Sequence, residues 1–117
     1  MARSGQKADQ GMGMLEISTA KVARVIMLSR EYGPGSRQLI DYISGFNDDE
    51  KVNLVALMWV GRDSFEAKDL EDAKNAALSE ATAPTEQYIS GIPSLAEHLE
   101  NGLDALGVDI SDVEDRM

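Results

Sequence analysis

The sequence predicts a small all-α domain: a single bundle of five or six short helices around a central apolar helix at about residues 48–60. Three observations predict it. Apolar residues recur at helical spacing through the segments between residues 15 and 107. Cap and stop residues separate those segments. No strand alternation, Asn-Gly hairpin or internal repeat is present.

The first helix follows Ser18, a candidate N-cap with Ile17 before it as a staple residue. Val22, Val25 and Ile26 then share a face, and Gly33-Pro34-Gly35 stops the helix. Ser36 can cap a second helix carrying Leu39, Ile40, Ile43 and Phe46 at i, i+1, i+4 and i+7. Asn47-Asp48-Asp49-Glu50 is a capping box with acidic residues at the positive end of the helix dipole. The helix it opens is apolar almost all round from Leu54 to Val60, which predicts a covered, central position. Gly61 ends it. Ser64 is the candidate cap of a fourth helix from about Phe65 to Ala81, with a narrow stripe of Leu70, Ala73, Ala77 and Ala81. Thr85 can cap a short helix through Tyr88 and Ile89 to Gly91. Pro93 suits the first position of the last helix, whose Leu95, Leu99, Leu103 and Leu106 lie along one face before Gly107 closes it.

This places one helical domain at 15–107, between an N-terminal arm at 1–14 expected to be disordered and an acidic tail at 108–117. The chain of 117 residues suits a single domain with its own core. No apolar run reaches the roughly 20 residues of a membrane span, and the arm lacks the apolar core of a secretory signal. A soluble, cytoplasmic protein is expected.

Composition narrows the chemistry. There are 21 acidic and 11 basic side chains, a net charge of −10, which argues against a nucleic-acid binder. The charge is uneven: residues 1–47 carry six basic and four acidic side chains, residues 75–117 one and nine. No cysteine is present, which excludes disulfides and thiolate chemistry. With one histidine, His98, a multi-histidine metal centre is excluded within one chain. His98 has Ser94 and Gly102 at i±4 and no visible orienting partner, so a solvated or capping-region histidine is preferred over a general base. Asp48-Asp49-Glu50 lacks the spacing of a calcium loop, and helix-start capping accounts for all three. There is no Gly-x-Ser-x-Gly elbow, phosphate loop or dinucleotide fingerprint. No catalytic residue, metal site or cofactor is assigned.

The candidate ligand-binding residues are Trp59, Arg62, Tyr88 and Gly91. Trp59 can edge a pocket, Arg62 can hold a carboxylate or phosphate, and the turn from Tyr88 past Gly91 precedes a helix start with free N–H groups. The simpler reading makes Trp59 core, Arg62 a helix-end residue and Tyr88 a core aromatic with its hydroxyl at the surface.

Two motifs carry a family resemblance. The first runs from Phe46-Asn47-Asp48-Asp49-Glu50 through Leu54-Val55-Ala56-Leu57-Met58-Trp59-Val60-Gly61-Arg62. The second is Tyr88-Ile89-Ser90-Gly91-Ile92-Pro93, followed by Leu99-Glu100-Asn101-Gly102-Leu103. In this order and separation, with Leu15-Glu16-Ile17-Ser18 ahead, the chain resembles a bacterial family catalogued as domain of unknown function 3775, over about residues 15–107. The resemblance implies a small helical cytoplasmic domain with no established activity, so no functional residue is carried over.

Three functions compete. The first is a protein-interaction module without catalytic activity, serving an unknown protein partner or a homodimer, with the leucine stripe of the last helix as a spare apolar face. The alternative is a small-ligand (anion) binder or enzyme using Trp59, Arg62 and Tyr88. The third is an acidic mimic that captures basic proteins.

Overall fold

The computed structural model of the protein describes residues 15–80 and 84–108, and the expected arm at 1–14, Ala81 and the tail from 109 onward lie outside them. The described residues form six α-helices and one 3-10 turn joined by short turns, with no strand among them. The helices are α1 (Thr19–Tyr32), α2 (Arg37–Ser44), α3 (Asp48–Gly61), α4 (Leu70–Glu80), α5 (Thr85–Ser90) and α6 (Leu95–Ala105). The expected all-α bundle around a central apolar helix is the observed architecture.

The capping signals that begin the first three helices are all present. Ser18 Oγ accepts from Lys21 N at 3.1 Å, and Ser36 Oγ accepts from Leu39 N at 3.3 Å. Asn47 Oδ1 accepts from Glu50 N at 2.8 Å, while Glu50 Oε1 accepts from Asn47 N at 3.0 Å. Each such cap stabilises its helix by about 1 kcal/mol. At the far end of the domain, Gly107 takes φ +78° and closes α6 with a Schellman pair. Val108 N donates to Leu103 O at 2.8 Å and Gly107 N to Asp104 O at 3.0 Å.

Every residue of α3 from Asn53 to Gly61 is buried. The helix is covered chiefly by α6 and α4, with α5 beside it, while α1 packs on α6 and α2. Leu54, Leu57 and Met58 belong to the main core with Val22, Val25, Ile26, Leu39, Ile43, Leu99 and Leu103. Ala56 and Val60 form a second cluster with Leu70 and Ala73 of α4, so the small-residue stripe does seat a neighbouring helix. At the crossing of α3 and α6 the backbones themselves touch. A Cβ placed on Gly61 would lie 1.6 Å from His98 O, and one on Gly102 would lie 2.5 Å from Leu57 O.

Four local expectations are corrected. Ser64 does not cap a helix: its N–H returns to Trp59 O at 2.9 Å and its hydroxyl accepts from Arg62 Nε. Phe65 instead stacks on Trp59 with ring centroids 6.0 Å apart, so α4 begins only at Leu70, after the 3-10 turn Ala67–Asp69. Pro84 rather than Thr85 stands at the cap of α5. Pro93 precedes α6 by two residues, because Ser94 takes φ +62° and breaks the helical path. Finally, Leu95, Leu99 and Leu103 are buried in the core, so the stripe of α6 is no spare face. A helix stripe alone cannot show which neighbour already occupies it.

Glu50 and Glu86 are two of the acidic residues that join helices to one another. Glu50 also accepts from the Lys21 ammonium on α1, and Glu86 pairs with Lys51 at 3.2 Å. The Lys21 ammonium and the Asn47 N–H hold the Glu50 carboxyl below its ordinary value of 4.5. Glu86 is lowered likewise, first by its own backbone N–H and then by Lys51. Because both folded values lie below the unfolded ones, this stabilisation is complete above about pH 5 and fades as pH falls through the folded values. Urea midpoints measured from about pH 5 down to 3 are therefore expected to fall, and to fall less steeply in Glu50→Gln/Glu86→Gln. Equal slopes in the two proteins would show that neither carboxylate contributes.

Candidate functional site

The four candidate residues lie on the last turn of α3, the turn after it and the end of α5. Trp59 is only 5% exposed because the apolar run of α3 carries it into the core. Its Nε1–H donates to the Tyr88 hydroxyl at 3.2 Å, and its indole face stacks on Phe65. The structure thus joins Trp59 directly to Tyr88, which is half-buried on α5. A buried indole N–H without a partner would cost stability, and Tyr88 removes that cost while keeping its ring against the core.

Arg62 is exposed and serves as the C-cap residue of α3, with its backbone N–H donating to Met58 O at 3.0 Å. Its Nε donates to Ser64 Oγ at 3.1 Å. Asp63 follows with φ +68°, a left-handed residue that reverses the chain after the helix. Gly91 is exposed and caps α5 in a right-handed conformation, its N–H turned back to Ile89 O. Arg62 and Gly91 therefore have local backbone roles, and the Trp59–Tyr88 hydrogen bond is the direct side-chain link within the set.

Tyr88→Phe tests that link. It keeps the ring and removes the acceptor, so a loss of about 0.5–1.5 kcal/mol and a shift in Trp59 fluorescence are expected. An unchanged melting temperature would show that Trp59 Nε1 finds water instead.

Sequence reasoning named the start of α6 as a candidate anion site, but not the polar cleft of about 210 Å³ that it forms with the end of α1, lined by Ser29, Arg30, Pro34, Ser94, Ala96 and Glu97. None of the four candidate residues lines it. It forms where the end of α1 meets the start of α6, next to the Arg30–Glu100 ion pair at 2.6 Å. Its two sides are about sixty residues apart in the chain, and no local motif announces their meeting. Sequence reasoning also passed over Asn53. This residue is 2% exposed, accepts from Glu16 N at 2.8 Å and donates to Asp49 O at 2.8 Å. Its one signal was an amide just before an apolar run.

His98, expected as a solvated or capping-region histidine, is a half-buried residue near the start of α6. Its Nδ1 is buried with no hydrogen-bond partner, and its carbonyl lies against Gly61. Among the described residues no group of three or more His, Asp or Glu is placed to hold a metal ion. No helix among them is long and apolar enough to cross a membrane.

The family model described as Protein of unknown function (DUF3775) matches residues 36–108, more than half of the chain. The chain belongs to this family. Neither the curated proteins nor the solved structures give a significant match. The matched stretch of the DUF3775 domain opens at Ser36, the cap of α2, and so includes both sequence motifs. It begins later than the expected residue 15 and leaves out α1. In the fold, however, α1 is integral: Val22, Ala23, Val25 and Ile26 are wholly buried.

Proposed function

We propose that this DUF3775 protein is a small helical interaction module that works without catalysing a reaction, and that it docks a basic partner on the acidic outer surface of its C-terminal half. The carrying observation is the outward face of α6, where the acidic Glu97 and Asp104 are exposed on either side of the neutral Asn101. Asp72 and Glu80, exposed on α4, carry further negative charge elsewhere on the C-terminal half. Such a surface steers a cationic partner and speeds encounter, more at low salt than at high.

A second copy fits this charge pattern less well. Lys21 is already paired with Glu50 and Arg30 with Glu100 inside the fold. The basic first third thus meets part of the acidic surplus within its own chain, and the remaining surplus favours a different, basic protein. A cytoplasmic setting is part of this proposal and agrees with the cysteine-free composition.

The test compares the protein with a Glu97→Lys/Asp104→Lys variant. Both sites are exposed; Glu97→Lys opposes the helix dipole in the first turn of α6 and Asp104→Lys favours it near the other end, so the net change in stability is expected to stay below about 1 kcal/mol. A partner captured from lysate at low salt should be lost at high salt and lost from the variant. A partner retained under both conditions would overturn the charge-based reading.

A further inference from the structure

We draw no further inference here: the strongest candidate, the polar cleft between the end of α1 and the first turn of α6, joins a helix N-terminus to an arginine already paired with Glu100, and nothing in the structure points to a ligand there.

Discussion

Gly61→Ala is expected to destabilise the domain by about 3 kcal/mol, the upper range for overpacking a tight contact. The added Cβ would meet His98 O at 1.6 Å, His98 C at 2.6 Å and Gly102 N at 2.9 Å. All three are backbone atoms, so no side-chain rotation relieves the clash. The two helices must separate, and separation loosens the core around Leu57 and Leu99. Gly102→Ala is expected to act in the same direction, since its Cβ would meet both Leu57 O and the Leu57 side chain. Gly91→Ala is the control. It has a right-handed backbone, and its nearest Cβ contact would be an ordinary 3.5 Å. There the substitution should be neutral or stabilise by up to about 1 kcal/mol, because alanine restricts the unfolded chain. Urea denaturation of the three variants checks this. A Gly61→Ala midpoint matching that of Gly91→Ala would show that α3 and α6 do not touch backbone to backbone.

Asn53→Leu is expected to cost about 1–3 kcal/mol although it fills a buried position with an apolar side chain of similar size. The amide accepts from Glu16 N, and leucine leaves that N–H without its partner. The segment concerned, Leu15 to Ile17, lies over both hydrophobic clusters: Ile17 is core, and Leu15 packs against each cluster. Glu16 also reaches Lys74 at 3.5 Å on α4. Loss of the Asn53 link should therefore raise amide exchange at Glu16 and Ile17 more than in the middle of α3. Uniform acceleration across the domain would instead mean that Asn53 supports the core as a whole. Unchanged stability would show that the Glu16 N–H is readily hydrated.

Features that depend on neighbours in sequence were legible. Ser18, Ser36 and Asn47 cap helices because a cap needs only the next three residues, and the apolar run from Leu54 to Val60 marked the central helix for the same local reason. The failures arose where a distant partner redirects the chain. Ser64 has the right residue type for a cap, yet the hold of Trp59 on Phe65 delays α4 until Leu70. The leucines of α6 read as an available face, yet α3 and α1 cover them. For the candidate site, sequence supplied Trp59 and Tyr88 separately and the fold supplied their hydrogen bond. Glycine was the hardest to read. In the sequence Gly61 reads as a stop signal, but its lack of a side chain matters for a contact some forty residues away.

That contact also restricts how the domain can move. Gly61 and Gly102 act as a key in a slot, fixing α6 along and around α3. Sliding α6 by one turn, about 5.4 Å, would bring His98 or Leu106 to the place that only glycine fits. The seam therefore has a single register and cannot work as a ratchet. A partner bound to the outside of α6 would shift α3 and α6 as one rigid body, and any change of shape would have to come from the helices packed around that pair.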